Sequence, residues 1–468
     1  MRSIWRLALP LMVAGLTQIT LNVVDTVLLA RLSTSALSAF ALAAPVYLVA
    51  LVIVRGWATA VQVMVARHHG ADRHGEVVQV VRTGVLTSAA AGAAVGAVLY
   101  LTAVPVLTVL GAGHDLIGPG ADYLRVLSFA VPFAAVSFTL QGACAGIGAT
   151  RVSMYTALLA NAVNLPLGLL LIFGADLGVT GAATATLAAT AAGTGYVLVY
   201  ARTRFPHARA VPTVRITRSL WRIGWPEMCA MGIGYLNEAL LAAFAARMGT
   251  HDLAAYRIVD NLTLVLFTVL TGAATATTIL AGQALGAGDR DGAEAWRRAG
   301  LRLLTVLHLV PSAVVLLVGG PLTSLIAADP AVADRAWSAI PLALFSLAPL
   351  LAALAYGAAL RAAGDTRSVM VASVLGDYAA LIPLAWLLGV HLDLGLPGLY
   401  LAWTAFGILY SLLLRRRHRQ AAARRSGDGG GGDQLSGGEP GVDGVHGDEG
   451  RGVRPSCPAR RAGGPPGS

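Results

Sequence analysis

Twelve long apolar runs, separated by short polar connections, constrain this sequence more than any other feature. They lie at about 7–31, 37–66, 80–104, 121–145, 153–174, 178–200, 221–247, 253–281, 299–326, 336–360, 368–390 and 396–414. Each run is long enough for a membrane-spanning helix, which needs about 20 residues. Glycine and proline recur inside the runs, as membrane helices tolerate better than soluble ones do. The pattern predicts an all-α integral membrane protein with twelve transmembrane helices.

The composition agrees with a membrane protein and argues against a nucleic-acid partner. Hydrophobic residues make up 56% of the 468 residues and charged residues 12%, which is half of the roughly 25% that soluble domains carry. The net charge of +10 would suit a nucleic acid, but the arginines lie between apolar runs rather than on one polar face. We expect membrane lipid and a small-molecule substrate as partners, and a monomer.

The arginines also predict the orientation in the membrane. The even-numbered connections and the chain ends hold most of them, among them Arg2, Arg6, Arg67, Arg73, Arg151, Arg202, Arg290, Arg297, Arg361, Arg367 and Arg415. The odd-numbered connections hold Arg31, Arg125, Arg247 and Arg335 beside several aspartates. Because arginine is enriched in cytoplasmic loops, we expect a multi-pass protein of the cytoplasmic membrane with both termini in the cytoplasm.

Four parts of the chain follow from the order of the runs. Six runs lie in residues 1–205 and six in residues 221–414, and a cytoplasmic linker is expected at 206–220. The tail, 415–468, begins with a basic stretch and continues with a segment rich in Gly, Pro, Asp and Ser. This second segment has too few apolar residues to bury a core, so we predict that it is disordered. The basic stretch is interpreted as a topology anchor near anionic headgroups rather than a regulatory element.

The two groups of six runs repeat each other at an offset of 216 residues. The matching positions include Trp5 and Trp221, Pro10 and Pro226, Arg31 and Arg247, Gly70 and Gly286, and Thr150 and Thr366. Six spans per half bring both halves into the membrane in the same direction, which makes a parallel repeat about an axis along the membrane normal. We therefore expect two six-helix lobes with a central cavity. Rocking of the lobes would expose that cavity to either side, whereas a duplicated scaffold without transport is the alternative.

Polar residues inside the first six spans are candidates for function, since charges at the bilayer centre cost several kcal/mol. Asp25 lies toward the outer end of the first span, and Asn161 and Asn164 lie three residues apart on one face of the fifth. These three residues could share a polar pocket, in which Asp25 would exchange a proton. The competing interpretation places Asp25 at the outer interface, bonded to a neighbouring helix end.

The second six spans hold Glu238, Asp260 and Asp377, and Asp377 stands at the repeat position of Asn161. A second site for a proton or Na⁺ is one interpretation of these acids. The other is an ion pair, because Arg257 precedes Asp260 by three residues and could neutralise it.

Three further residues complete the candidate set. Arg55 is the one arginine well inside a span, where it could hold a helix carbonyl or a carboxylate other than Asp25. Pro10 and Pro226 occupy equivalent places, and each removes a helix hydrogen bond and permits a bend. Bending at Pro10 could reshape the pocket around Asp25, or both prolines could mark fixed kinks inherited by the two repeats.

Motifs for enzyme chemistry or for a bound cofactor are missing from the sequence. There is no phosphate-binding P-loop, and the histidines at 68, 69 and 74 lack the carboxylate or cysteine that would complete a metal site. We therefore predict no enzymatic activity, no metal site and no cofactor other than H⁺ or Na⁺ as the coupling ion.

Several stretches together resemble the MATE family of multidrug and toxic-compound extruders, most closely its DinF-like branch. They include Val24-Asp25-Thr26, Leu140-Gln141-Gly142, Asn161 to Asn164, Gly181 to Thr186, Gly282-Gln283 and Gly364 to Arg367. The resemblance covers about residues 4–414. It implies a V-shaped pair of six-helix lobes that exports drugs in exchange for H⁺ or Na⁺.

The resemblance also assigns roles to single residues. In the DinF-like branch the acid that matches Asp25 is implicated in proton coupling, and Asn161 and Asn164 match the asparagines of the fifth span. Gly168 departs from the pattern, since the family often has an acid there. Glu238 and Asp377 look like the second-lobe acids of Na⁺-coupled members. The expected function is thus export of organic cations or amphipathic small molecules, with a flippase for lipid-linked sugars as the alternative.

Overall fold

The chain folds into long helices, as the apolar runs predict. The computed structural model describes residues 1–205, 213–327 and 329–427. The first half contains α1 (Arg2–Leu32), α2 (Thr34–Gly70), α3 (His74–Val109), α4 (His114–Ser128), α5 (Ala130–Gly146), α6 (Arg151–Leu169) and α7 (Gly178–Arg204). The second half contains α8 (Val214–Met248), α9 (Thr250–Gly286), α10 (Arg290–Ile326), α11 (Pro330–Ala362), α12 (Thr366–Gly376), α13 (Ile382–Leu384) and α14 (Gly395–Gly427). Three π-helical segments, Leu170–Gly174, Asp377–Leu381 and Ala385–His391, continue α6, α12 and α13.

The described residues contain eleven or twelve candidate spans, which confirms the predicted all-α membrane fold. Eleven helical segments are long and apolar enough to cross a membrane by themselves, and α4 and α5 pass the same test as a pair that is bent by 43°. The bend at Phe129 has a local cause in Pro132, which lacks the N–H that would bond to the carbonyl of Ser128 four residues earlier. The sequence predicted one straight span at 121–145, because it did not show where the helix would break.

A proline also precedes one π-helical segment in each half. Pro166 lies in α6, just before the π-helical segment Leu170–Gly174, and Pro383 lies in α13, just before Ala385–His391. A proline removes one backbone donor, and the helix winds more loosely beyond it. At the offset of 216 residues, Pro383 lies one residue beyond the position equivalent to Pro166, so the two halves share this distortion at nearly equivalent places.

The repeat extends to the backbone conformation of the connections. Helices α2 and α9 begin at residues 34 and 250, and α3 and α10 begin at residues 74 and 290. Gly148 and Gly364 both take left-handed backbone angles, with φ of 87° and 78°. A side chain is strained in that region, whereas glycine is not. The two halves are therefore duplicates in geometry as well as in sequence.

Buried residues form three large clusters, and the amino-terminal ends of α1 and α8 cross between halves. Ile4 of α1 packs in the cluster of the second half, and its repeat equivalent Leu220 of α8 packs in a cluster of the first half. This exchange ties the halves together within the compact unit Met1–Gln420. The predicted linker overlaps 206–212, and most of the predicted tail is 428–468. Both of these segments lie outside the described residues.

Candidate functional site

The two halves meet where the carboxyl ends of α2 and α9 approach each other, here named the closed end (residues 67–70 and 283–286). A Cβ atom on Gly70 would overlap the backbone carbonyl of Gln283, and one on Gly286 would overlap the carbonyl of Arg67. Residues 67 and 70 are the repeat equivalents of 283 and 286, so the two contacts are symmetric. Glycine at both positions allows the backbones to touch and seals this end of the interface.

A second symmetric pair of contacts extends the seal. Gly56 of α2 packs against Met228 of α8, and its repeat equivalent, Gly272 of α9, packs against Met12 of α1. Gln283 adds a polar contact between the halves, since its Nε2 donates to the carbonyl of Gly146 at 2.9 Å. The amino-terminal portions of α1 and α8 are therefore held firmly between the halves.

Farther along, α1 and α8 border accessible space. A Cβ atom on Gly232 or Gly234 of α8 would meet no atom within 4 Å. Leu236 is 52% exposed, and Val23 on α1 is 56% exposed. The carboxyl-terminal portions of these two helices, which carry Asp25 and Glu238, thus present open apolar surface away from the closed end.

Asp25 is buried within the first half and has no hydrogen bond or ion pair among the described residues. Its carboxylate lies in electrostatic range of the buried phenol of Tyr123, which in turn is near Tyr47. These tyrosines come from α4 and α2. The structure therefore encloses Asp25 without neutralising it, which does not match the competing interpretation of a bond to a helix end.

Asn161 and Asn164 fasten α6 to its neighbours instead of bonding to Asp25. Asn161 Nδ2 donates to the carbonyl of Thr17 in α1 at 3.1 Å, and Asn164 Nδ2 donates to Thr186 Oγ1 in α7 at 3.1 Å. The Oδ1 atom of Asn164 is buried without a partner in the described chain. The face of α6 that carries these residues thus borders α1, and the Oδ1 atom of Asn164 is left as a free acceptor in the described chain.

Gly168 lies on the same side of α6, one turn beyond Asn164. A Cβ atom there would come within 3.7 Å of Leu28 and 3.9 Å of Ala185, which are ordinary van der Waals contacts. Leu28 is one helical turn from Asp25 on α1. An acid at position 168 would therefore point toward the level of Asp25, and its loss leaves Asp25 as the carboxylate at that depth.

Glu238 and Asp260 form a polar cluster with three partners, of which the sequence had indicated Arg257 but neither tyrosine. Tyr256 donates to Glu238 Oε1 at 3.0 Å, and Arg257 Nη1 lies 3.6 Å from the same oxygen. Arg257 thus pairs with Glu238 rather than with Asp260, although it also interacts with Asp260 electrostatically. Tyr400 of α14 interacts electrostatically with both acids.

Asp377 lies apart from this cluster. It is 5% exposed at the start of a π-helical segment, and Ser373 Oγ donates to its Oδ2 at 3.4 Å. Asn237 of α8 is close to the carboxylate. The structure therefore brings Glu238 and Asp260 together and places Asp377 with Asn237, a residue that the sequence did not single out.

The remaining predicted residues occupy the interface and the helix interiors. The Arg55 guanidinium lies 5.1 Å from the Phe138 ring centroid and interacts electrostatically with Tyr235 of the second half. The described part of the chain shows no ion pair for Arg55. Pro10 and Pro226 are buried, and α1 and α8 continue through them as helices.

Two pockets lie away from these residues. One, of about 270 Å³, is lined mainly by apolar side chains of α9, α10 and α11, with Asn261 and Thr323. The other, of about 330 Å³, holds Asp252, Arg335 and Asp393 near the start of α14. Neither contains a predicted site residue, so neither is taken as the transport site.

The two six-helix halves are sealed at one end by symmetric glycine contacts, and both hold buried carboxylates in their spans. These features define a duplicated membrane transporter. The MatE family model matches residues 10–170 and again residues 227–387. The chain belongs to this family, which confirms the predicted MATE membership. It is therefore a multi-pass membrane transporter and not an enzyme.

Similar proteins agree with this assignment. "Probable multidrug resistance protein NorM" of Burkholderia mallei is 31% identical over 419 residues, 84% of this chain and 87% of that protein. "Multidrug resistance protein PmpM" of Pseudomonas aeruginosa is 26% identical over 409 residues, 83% of this chain and 84% of that protein. Among solved structures, "MATE in the bent conformation" has a TM-score of 0.86 at 18% identity, covering 92% of this chain and 96% of that one. A mutant of the Vibrio cholerae MATE transporter VcmN has a TM-score of 0.85 at 20% identity, covering 90% of this chain and 97% of that one.

Proposed function

We propose that this transporter exports organic cations or amphipathic small molecules in exchange for H⁺, and that Asp25 carries the proton. The observation on which this rests is the state of Asp25, which is buried in a membrane span without a described hydrogen bond or counter-charge. An ionised carboxylate in that position costs several kcal/mol. Binding of a proton or a cationic substrate removes this cost, which is the chemical basis of an exchange.

Transport of the proton and of the substrate is coupled if the Asp25 carboxylate binds the proton and the substrate cation in turn. When Asp25 is ionised, it attracts a substrate cation into the open space beside α1. When it takes a proton, the attraction is lost, and the neutral acid can hydrogen-bond within the site near Tyr123. A ligand shifts a conformational equilibrium only through different affinity for the two states. The proton and the substrate therefore favour opposite states of the two halves.

The names of the relatives support the substrate class, since proteins such as NorM of Burkholderia mallei are described as multidrug resistance proteins. The described surface of α1 and α8 beyond the closed end is mainly apolar with few charges, which suits amphipathic cations. Arg55 faces this region as well, and its contact with Phe138 keeps the guanidinium against an aromatic ring. We expect Pro10 and Pro226 to permit bending of α1 and α8 as the halves move.

The finer assignments remain predictions. Placement in the DinF-like branch rests on the resemblance around Asp25, while the relatives named above carry the names NorM and PmpM. Both termini are placed in the cytoplasm, where the closed end would then also lie. A green fluorescent protein fused after Ser468 would fluoresce if this orientation is right, and a periplasmic alkaline phosphatase fused there would be active if it is wrong.

The test is efflux of a fluorescent cationic dye from proteoliposomes under an imposed pH or Na⁺ gradient. Wild type is compared with Asp25→Asn and with a matched control, Asp115→Asn, which changes an exposed acid at the start of α4. We expect the pH gradient to drive dye movement in wild type and in the control. In Asp25→Asn the initial rate should fall at least about tenfold, as for the loss of a proton-transfer group.

Two other outcomes would contradict the proposal in different ways. Movement that needs Na⁺ and survives Asp25→Asn would move the coupling site to Glu238, Asp260 or Asp377. No gradient-driven movement of any cationic dye, with transfer of a lipid-linked sugar in the same vesicles, would establish the flippase alternative.

A further inference from the structure

Arg55 is an arginine within a membrane span that has no counter-charge in the described chain. It lies near the middle of α2, and its side chain is exposed. Its contacts are with the Phe138 ring, whose centroid is 5.1 Å from the guanidinium carbon, and electrostatically with the phenol of Tyr235. A charged side chain inside a membrane is costly, and it is almost always paired or placed on a substrate pathway. The guanidinium therefore calls for an anionic partner that the described chain does not supply.

Tyr235 of α8 approaches Arg55 from the other half. Its side chain is 46% exposed, and its hydroxyl makes no well-formed hydrogen bond to a described residue. Asn237, two residues farther along α8, lies close to Asp377 in its own half. Two such positions on an α-helix point about 160° apart, so Tyr235 points away from its own half and toward the first. This direction agrees with its electrostatic interaction with Arg55.

These two side chains lie where the seal between the halves gives way to open space. Gly56, the neighbour of Arg55, packs against Met228 of α8. Gly234, the neighbour of Tyr235, borders space in which an added Cβ atom would meet nothing within 4 Å. Arg55 and Tyr235 therefore stand at the floor of the open space, one on each half.

The chemistry of the two groups suits a carboxylate. A guanidinium presents its N–H donors in a planar fork that matches the two oxygens of a carboxylate. The Phe138 ring lies against the guanidinium of Arg55 and leaves these donors without protein acceptors among the described residues. The phenol O–H of Tyr235 can donate to the same anion. A purely cationic group would gain none of these bonds, and the positive charge of Arg55 would repel it.

We propose that Arg55 and Tyr235 form a carboxylate-binding site between the two halves, which holds the acidic group of an amphipathic substrate. The repeat equivalents of these residues are Thr271 and Ile19, which carry no charge, so the repeat supplies the arginine on one side only. The transporter thereby accepts molecules that carry both a cationic and an acidic group. Export of such molecules rests on the proposed function, whereas their binding does not.

The carboxylate site is separate from Asp25. Counted at 1.5 Å per residue from the connection between α1 and α2, Asp25 lies about 10 Å along α1 and Arg55 about 30 Å along α2. A difference of about 20 Å is too large for an ion pair between them. The charge of Arg55 thus stays available to a substrate, and an acidic group bound there does not compete with the proton at Asp25.

Binding can be measured on the purified full chain in detergent, without a gradient. The probes are a rhodamine that carries a free carboxylate and the methyl ester of the same rhodamine, which differ only at the acidic group. Fluorescence anisotropy gives the affinity for each dye, and we expect wild type to prefer the carboxylate form. Arg55→Met keeps the length of the side chain but removes its charge. It should weaken binding of the carboxylate dye at least about tenfold and should not weaken binding of the ester.

Further variants assign the preference to the two side chains. Tyr235→Phe removes a single donor and should weaken the carboxylate dye about 2- to 10-fold. Arg302→Met changes an exposed arginine of α10 and should alter neither affinity. Asp25→Asn should affect both dyes alike, because they share the cationic ring system. Retention of the gel-filtration profile checks that each variant is folded.

Three results would overturn the carboxylate site. They are a wild type without preference for the carboxylate dye, a preference that persists in Arg55→Met, and equal losses for both dyes in that variant. The second result would place the acidic group elsewhere, and the third would make Arg55 a support for the surrounding helices. A preference that depends on Arg55, without gradient-driven movement of either dye, would count against the proposed exchange alone.

Discussion

The two halves share a scaffold and differ in where they place their polar groups. In the first half the acid is on α1 (Asp25) and the amide is on α6 (Asn161). In the second half α8 carries both an amide and an acid (Asn237 and Glu238), and Asp377, in the π-helical segment that continues α12, stands at the repeat position of Asn161. The equivalent of Asp25 is Leu241, which is fully buried. Duplication thus preserved the backbone but not the polar groups, since an acid in the second half stands where the first half has the α6 amide.

The buried amides of the two halves also differ in their hydrogen bonds. Asn161 donates to the carbonyl of Thr17, so the first half uses its amide to hold α6 against α1. Asn237 makes no such bond and faces a carboxylate instead.

Helix caps and ion pairs also differ between the halves. Asp289, Asp329 and Asp365 cap the amino ends of α10, α11 and α12 with side-chain bonds, whereas Arg73, Gly113 and Thr150 provide none for α3, α4 and α6. In addition, Arg417 and His418 tie the extension of α14 to Asp365 and Glu294. Three helices of the second half are thus capped where their counterparts are not, whereas α2 of the first half is capped by Ser33 and its counterpart α9 is not.

Exchanging the residues at the positions of Asp25 and Leu241 should produce the largest effect. Leu241→Asp removes a fully buried side chain and buries an unpaired charge, which together should cost at least about 4 kcal/mol. Asp25→Leu should leave the stability unchanged or raise it, because the carboxylate has no described partner to lose. Thermal unfolding midpoints in detergent measure both, and similar losses in the two variants would show that the halves do not differ here.

Breaking the buried ion pair of the second half should have the next largest effect. Arg361→Ala leaves Glu227 buried without a counter-charge and should destabilise the protein by about 3–5 kcal/mol. The first half has Leu11 and Ala145 at these positions. A double variant with those residues, Glu227→Leu with Arg361→Ala, should recover most of the loss because both charges are gone. Additive losses in this double-mutant cycle would contradict a coupled pair.

The sequence predicted the spans and the repeat well, because both depend on apolar length and spacing. It could not predict the break at Phe129, since a proline within a membrane helix does not always interrupt it, and α11 passes through Pro341 and Pro349 unbroken.

The sequence also located Asp25, Glu238 and Asp377 as acids within spans but could not pair them. The partner of Arg257 turned out to be Glu238 on another helix rather than Asp260 nearby in sequence. Asn237 stood beside Glu238 and could have been found as a second polar residue at that depth.

Substituting either glycine of the closed end should destabilise the sealed state moderately, and by a similar amount in both halves. Gly70→Ala or Gly286→Ala would force a Cβ into a backbone carbonyl of the other half. Overpacking of this kind costs about 1–3 kcal/mol, which is roughly a 5- to 150-fold fall in the population of the sealed state. Distances between spin labels at Ala71 and Ala287 should lengthen in both variants.

The matched control for these contacts is Gly195→Ala, where a Cβ in α7 would meet no atom within 4 Å. It should leave the label distance unchanged. An effect of Gly70→Ala alone would show that the closed end is not symmetric in solution.

Removing or adding a helix cap should have the smallest effect on stability. These variants test whether the cap of α10 in the second half can be reproduced at the equivalent start of α3 in the first half. Asp289 accepts from the backbone N–H of Gly292 at 2.7 Å, so Asp289→Ala should lower the stability by about 1 kcal/mol. Its repeat equivalent Arg73 has similar backbone angles, with φ of −88° against −82°. Arg73→Asn should therefore gain a cap of similar size, since the exposed contact of Arg73 with Glu76 contributes little. If Asp289→Ala lowers the unfolding midpoint but Arg73→Asn does not raise it, the cap depends on its surroundings in the second half and not on the repeated backbone.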